Sequence, residues 1–139
     1  LAEDALAKIV PHLSPRSDKW TAGVALPGGD FPVDGVEALV ARLQSAHPFL
    51  TDRWSRRLVR AYGTDAERML QGAVASEELG RDFGATLTEV EVRWLMEHEF
   101  ARRAEDVVWR RSKLGLRMTP AEVAALDDWM RAQQTRDAA

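Results

Sequence analysis

Apolar residues recur at three- and four-residue intervals along most of the chain, and a glycine or a proline closes each run. Leu39 and Leu43 lie on one such stripe, which ends near Pro48, and Leu58 belongs to the next, which ends at Gly63. This spacing places apolar side chains on one face of an α-helix. Strict alternation of apolar and polar residues, which marks a half-buried strand, is nearly absent. The pattern predicts an all-α fold, a compact domain of about five to seven helices with short connections.

Threonines at the starts of these runs predict where several helices begin. A Thr-x-x-Glu pattern, in which both side chains cap the first helical turn, occurs at Thr64–Glu67, Thr88–Glu91 and Thr119–Glu122. Pro120 strengthens the last of these, because proline is favoured at the first helical position. Thr51 is a further candidate for a helix N-cap.

The first 34 residues differ from the rest of the chain. Residues 2–13 have helical spacing, whereas residues 14–34 are broken by Pro15, Pro27, Gly28, Gly29 and Pro32. Such a stretch predicts an irregular linker. We therefore divide the chain into an N-terminal helix and linker, 1–34, and a helical domain, 35–139. Because the chain starts without Met and within helical spacing, we expect it to be a piece of a longer protein.

Five tryptophans stand out in a chain of 139 residues. An indole ring can bury about 150–250 Å², so a few of them can dominate a small core. We predict a tryptophan-rich interior built from residues on the helical stripes: Trp54, Trp94, Leu95, Val107, Val108, Trp109, Leu126 and Trp129.

Composition excludes several classes of function. Hydrophobic residues make up 45% of the chain and charged residues 29%, the mixture of a globular protein. The net charge of −3 gives no overall attraction to nucleic acid or anionic lipid. The absence of cysteine excludes disulfides, thiolate catalysis and cysteine-based zinc sites. No apolar run approaches the length of about 20 residues that a membrane-spanning helix needs.

The motifs that suggest catalysis or cofactor binding are incomplete. The glycines of residues 26–30 lack the GxGxxG spacing of a dinucleotide-binding turn, so we interpret the segment as a structural turn. Glu97-His98-Glu99 lacks the second histidine of a zinc-protease helix, because Arg102 occupies its position. Serines lie in no triad-like context. We predict no catalytic, cofactor-binding or metal-binding residue in this chain.

Basic residues are concentrated between residues 102 and 117, at Arg102, Arg103, Arg110, Arg111, Lys113 and Arg117. Acidic residues lie among them, and Glu99–Arg103 and Asp106–Arg110 have the spacing of helical ion pairs. Mixed charge of this kind favours ion pairing within the chain or between domains over a surface for phosphates. We define the charged cluster as Glu99, Arg102, Arg103, Glu105, Asp106, Arg110 and Arg111. The alternative is a standalone helical interaction module that binds nucleic acid through the basic Arg102–Arg117 segment.

Residues 79–116 carry a resemblance to a known family. The segments that carry it are Leu79-Gly80-x-Asp82-Phe83-Gly84, Glu91-Val92-x-Trp94-Leu95-x-x-x-Glu99, Ala101-Arg102-x-Ala104-Glu105-Asp106-x-x-Trp109-Arg110-Arg111 and Lys113-Leu114-Gly115-Leu116. They resemble the C-terminal domain of the FAD-dependent, respiratory glycerol-3-phosphate dehydrogenases. Upstream, residues 26–30 and Leu58-x-x-x-Tyr62-Gly63 fall where the family has similar segments, so the resemblance covers nearly the whole chain.

The resemblance implies a parent oxidoreductase that converts sn-glycerol 3-phosphate to dihydroxyacetone phosphate with FAD. It implies that the electrons pass to membrane quinone, or to oxygen in a related branch. The parent would lie in the cytoplasm as a peripheral protein on the cytoplasmic face of the membrane, and a homo-oligomer is compatible with the resemblance. In such enzymes the flavin and substrate-cap domains precede this one and are its expected partners. The resemblance therefore assigns no cofactor and no nucleic acid to this chain, whose expected role is structural packing between domains.

Overall fold

The computed structural model describes residues 2–12 and 20–137. Its α-helices are α1 (Ala2–Ile9), α2 (Val36–Ala46), α3 (Asp52–Tyr62), α4 (Asp65–Leu70), α5 (Glu89–His98) and α6 (Pro120–Asp137). A π-helix covers Asp106–Arg111, and single 3-10 turns cover Val10–His12, Ser76–Leu79 and Leu114–Leu116. The described residues contain one isolated β-bridge, between Asp82 and Thr88, and no strand. The predicted all-α class is confirmed. Residues 13–19, which include the end of the predicted N-terminal helix and the start of the predicted linker, lie outside the described residues.

Helices α2 and α3 pack against each other and begin the core. α2 buries Leu39, Val40 and Leu43. α3 begins where the sequence predicts, because the Thr51 hydroxyl accepts the N–H of Trp54 at 3.3 Å. It ends at Gly63, whose φ of 56° lies in the left-handed region.

The three predicted capping boxes have different outcomes. The last is confirmed, because the Thr119 hydroxyl accepts the Glu122 N–H at 3.3 Å and Glu122 accepts the Thr119 N–H at 2.7 Å. The other two do not form. Neither Thr64 nor Thr88 makes a side-chain cap, although each precedes a helix.

The failed capping boxes have physical causes in longer-range contacts. The Thr64 hydroxyl donates to the Asp30 carboxylate, and Glu67 pairs with Arg42 at 2.6 Å. Glu91 points into the protein interior, where other groups bond its carboxylate. A local pattern cannot reveal such competitors.

The interior is rich in leucine, valine and methionine. Leu95, Val107, Val108 and Leu126 are fully buried in one continuous core. The prediction of a tryptophan-rich interior is wrong, however. Trp54, Trp94 and Trp129 pack only partly buried against that core, and Trp109 is 42% exposed. Indole rings are large and carry an N–H that needs a partner, so the rim suits them better than a tightly packed centre.

Val107 and Trp109 lie on a helical stripe of the sequence, but their segment forms a π-helix rather than an α-helix and ends at Arg111, before Gly115. Both the N–H and the hydroxyl of Ser112 donate to the Val107 carbonyl, at 3.0 and 2.7 Å. This bond spans five residues, which widens the turn. Lys113 then adopts a left-handed φ of 57°, and the Trp109 ring packs over the α-carbon of Gly115.

The glycine-rich segment at residues 26–30 lies on the junction of α3 and α4. The Gly28 carbonyl accepts the Thr64 N–H at 3.0 Å. Gly28 and Gly63 both have positive φ. A Cβ on Gly28 would overlap the Tyr62 carbonyl, and a Cβ on Gly63 would overlap the Gly28 carbonyl. The segment is therefore a structural turn, because only glycine permits this close approach.

We expect Gly28→Ala to destabilise the protein by about 3 kcal/mol or more, because it adds a backbone clash to an unfavourable φ. Gly72→Ala is the matched control. Its φ of 77° is also positive, but nothing lies within 4 Å of the added Cβ. The control should cost only about 1 kcal/mol. Urea unfolding of both variants measures the difference, and equal losses would show that the Gly28 contact is unimportant.

Candidate interdomain surface

Asp106 is the centre of the charged cluster. It is the first residue of the π-helix, and its carboxylate accepts the backbone N–H groups of Arg102 and Arg103 at 2.9 and 3.0 Å. Its other oxygen accepts from the Arg110 guanidinium, so the predicted Asp106–Arg110 pair forms. The Arg102 N–H lowers the pKa of Asp106 most. Burial opposes this effect, but the Arg103 N–H and the Arg110 guanidinium also act to lower the pKa, and the net direction is downward. Asp106 thus fastens the loop after α5 to the π-helix.

Arg111 fastens the same loop from the other end of the π-helix. Its guanidinium donates to the Glu99 carbonyl at 2.7 Å and lies 3.9 Å from the Glu99 carboxylate. The predicted Glu99–Arg103 pair does not form, because α5 ends at His98 and Phe100 has a φ of 59°. Helical spacing is lost at that point, so residues four apart no longer face each other.

The remaining members of the charged cluster lie at the surface. Arg102, Arg103 and Glu105 are exposed, and Glu105 approaches Arg110 at 3.5 Å. The Arg102 carbonyl accepts from the Gln134 side chain at 2.7 Å, which connects the loop to α6. Such exposed ion pairs contribute little to stability by themselves, about 0–1 kcal/mol. Their chemistry suits a polar rim around a contact surface.

A shallow groove adjoins this cluster, between the π-helix and α6. Its volume is about 590 Å³, and its walls include Arg103, Glu105, Trp109, Val123 and Arg131. We name it the Trp109 groove. An apolar centre with a charged rim is the composition of protein contact surfaces. Phe100 and Leu116, at 76% and 77% exposure, lie on either side of the π-helix in sequence.

The most deeply buried charges lie elsewhere and were missed by the sequence analysis. Glu91 of α5 is 1% exposed and accepts from the Arg57 guanidinium at 2.6 and 2.7 Å and from the Tyr62 hydroxyl at 2.8 Å. Two further N–H groups of Arg57 donate to the Thr86 carbonyl and hydroxyl. A signal existed, because Glu91 lies four residues before the buried Leu95 on one face of the helix. The capping-box interpretation concealed it.

Burial and pairing affect the protonation of these groups. Burial raises the pKa of the Tyr62 hydroxyl well above its usual range, and the adjacent Glu91 carboxylate raises it further. For Arg57, burial acts to lower the pKa, but the hydrogen bonds and charge of Glu91 outweigh it and the net direction is upward. Tyr62 therefore stays protonated and Arg57 charged, which makes the network a structural tie rather than an acid–base pair.

Two of the three histidines, His47 and His98, have structural contacts. The His98 ring stacks on Trp94 with centroids 3.9 Å apart, and buried His47 has its Nδ1 2.7 Å from the Ala73 carbonyl oxygen. Within residues 2–12 and 20–137, no group of three or more His, Asp or Glu side chains is arranged to hold a metal ion.

Comparison with known proteins places this arrangement in a family. The family model for the C-terminal domain of alpha-glycerophosphate oxidase matches residues 19–135. The chain belongs to this family. The resemblance to glycerol-3-phosphate dehydrogenases is also confirmed by curated relatives.

Three relatives of this family domain illustrate its range. The chain is 37% identical over 130 residues to the aerobic glycerol-3-phosphate dehydrogenase of Escherichia coli K12, and this region is 94% of the chain. It is 38% identical over 133 residues to the glycerol-3-phosphate dehydrogenase of Pseudomonas aeruginosa, covering 96% of the chain. It is 35% identical over 130 residues to the D-erythritol 1-phosphate dehydrogenase of Brucella abortus, covering 93% of the chain. The chain spans about a quarter, 26%, of the length of each of these relatives.

We expect Asp106→Asn to flatten the dependence of stability on pH. The pKa of Asp106 is lower in the folded protein than its unfolded value of about 3.9. Its contribution is therefore complete above that value and is lost as the pH falls through the folded pKa. Urea unfolding at a series of pH values should show the variant less stable than wild type at neutral pH. The difference should shrink on acidification, and a constant difference would contradict the assigned role.

Proposed function

We propose that this chain is the C-terminal helical domain of an FAD-dependent glycerol-3-phosphate dehydrogenase. The parent would oxidise sn-glycerol 3-phosphate to dihydroxyacetone phosphate and pass the electrons through FAD to membrane quinone. The glycerol-3-phosphate dehydrogenases among the relatives support this assignment, since the chain matches them over nearly its whole length. A similar region is present in the D-erythritol 1-phosphate dehydrogenase, an enzyme named for a different phosphorylated polyol. We therefore assign substrate choice to the rest of the enzyme.

The physical role of the domain in this proposal is to hold other domains in place. The Trp109 groove and the charged cluster around it support that role, because they combine exposed apolar area with a polar rim. Helix α1 adds to this argument, since it has no buried residue although Leu6 and Ile9 lie on its apolar face. The flavin and substrate-cap domains of the parent are the partners we assign to these surfaces. FAD and the catalytic residues would lie in those domains.

Ion pairing supports this role over the nucleic-acid alternative. Arg110 is engaged by Asp106 and Glu105, and Arg111 by Glu99. A nucleic-acid surface needs several adjacent guanidinium groups that are free to meet phosphates, and these ion pairs remove two of them from the Arg102–Arg117 segment. For the parent we propose a cytoplasmic enzyme that is peripheral on the cytoplasmic face of the membrane. None of the helices described within residues 2–12 and 20–137 is both long enough and apolar enough to cross a bilayer.

We expect Arg111→Ala in the full-length enzyme to lower the melting temperature and the fraction of bound flavin, and to leave the KM for glycerol 3-phosphate nearly unchanged. The reason is that Arg111 fixes the loop after α5 at the charged cluster and, in this proposal, contacts no substrate. Thermal unfolding, flavin absorbance per protein and steady-state kinetics measure the three quantities.

Arg60→Ala is the control, because Arg60 is exposed on α3 and does not line the Trp109 groove. It should retain wild-type flavin content. The 139-residue chain purified alone should carry no flavin. A stoichiometric yellow chromophore or dehydrogenase activity in the chain alone would contradict the proposed division of roles.

A further inference from the structure

A second, smaller cavity lies at the start of α3, away from the Trp109 groove. Its volume is about 240 Å³, and three arginines line it, Arg53, Arg57 and Arg117. No carboxylate belongs to the lining within the described part of the chain. Three arginine side chains that line one small space carry like charges, which repel one another unless a negative charge compensates them.

Among the residues that the structure describes, only one of these three charges is compensated by a carboxylate. Arg57 is paired with the buried Glu91. Arg53 and Arg117 are exposed, and neither forms an ion pair with any residue in 2–12 or 20–137. Arg57 also keeps one N–H of its guanidinium unused, because its four observed bonds occupy four of the five N–H groups. The cavity thus offers positive charge together with free donors.

Two threonine hydroxyls in the cavity wall add further donors. Thr51 accepts the N–H of Trp54, and Thr86 accepts from Nε of Arg57 at 3.0 Å. Each hydroxyl accepts in these bonds and so keeps its own proton to donate. Thr86 also has a φ of 67°, and the preceding Ala85 has a φ of 50°. Left-handed backbone at non-glycine residues is costly, and Arg57 holds it by bonding the Thr86 carbonyl at 2.8 Å.

We propose that this cavity binds a phosphate monoester or inorganic phosphate in its dianionic form. A dianion matches the two uncompensated arginines, whereas a carboxylate would neutralise only one of them. The oxygens of a phosphate also provide enough acceptors for the arginine fork and the two hydroxyls. The amino-terminal end of α3, an 11-residue helix, lies in the same wall and adds its partial positive charge. This inference does not depend on the proposed function.

The test is isothermal titration of the 139-residue chain with inorganic phosphate at constant ionic strength. Wild type should show saturable binding. A variant with both Arg53→Gln and Arg117→Gln should bind phosphate at least about tenfold more weakly, the equivalent of one lost charge-assisted hydrogen bond. The control combines Arg60→Gln with Arg136→Gln, which remove the same charge from exposed positions outside the cavity. It should keep wild-type affinity.

Two further ligands identify the class of anion. If glycerol 3-phosphate binds as tightly as inorganic phosphate, the result supports a phosphate monoester as the natural occupant. If glycerol 3-phosphate binds more weakly, the result supports the free ion. Acetate that binds equally well would overturn the phosphate assignment. The proposal also fails if wild type shows no saturable binding, or if the control loses as much affinity as the cavity variant. Circular dichroism and urea unfolding verify that each variant is folded, and Arg117→Lys should recover part of the affinity.

Discussion

The buried ion pair between Arg57 and Glu91 is the interaction on which the arrangement of the helices depends. It joins α3 to α5, and the bonds from Arg57 to Thr86 include the loop that leads into α5. Removing charges from water is expensive unless every lone pair and donor finds a partner. Here Tyr62 supplies the additional donor to Glu91. In the described residues, no buried side-chain nitrogen or oxygen lacks a hydrogen-bond partner.

The same network relates the core to the phosphate cavity that we propose. Arg57 faces Glu91 on its buried side and lines the cavity on its other side. The core therefore fixes the position of the Arg57 guanidinium. Arg53 and Arg117 line the same cavity. The Trp109 groove has a different basis, since its walls combine exposed charged residues with the half-exposed Trp109 indole and small apolar side chains. One surface is thus rigidly positioned from inside, and the other suits contact with a partner domain.

Local patterns predicted the class of the fold and much less of its long-range chemistry. The cap at Thr51 and the capping box at Thr119 were predictable, because their partners lie within one helical turn. The roles of Thr64 and Glu91 were not, since their partners lie 34 residues away in the chain. Helical spacing predicted that Glu99 pairs with Arg103. Because α5 ends at His98, Glu99 instead lies near Arg111.

The sequence also left the surfaces incompletely defined. Spacing alone could not separate the tryptophans at the rim from the aliphatic residues at the centre, because both lie on the same stripes. Arg117 was recognised as part of a basic segment, yet Arg53 and Arg57, which complete the cavity, lie more than 50 residues earlier. Only the folded chain brings these three arginines together.

A double-mutant cycle on Arg57→Met and Glu91→Leu tests the central role of the ion pair most directly. Each single substitution leaves one buried charge without its partner, so each should cost about 3–5 kcal/mol of unfolding free energy. The double variant removes both charges and should recover much of that loss, which gives a coupling energy of about 2 kcal/mol or more. Strictly additive losses would contradict the account, because they would show that the two charges do not depend on each other.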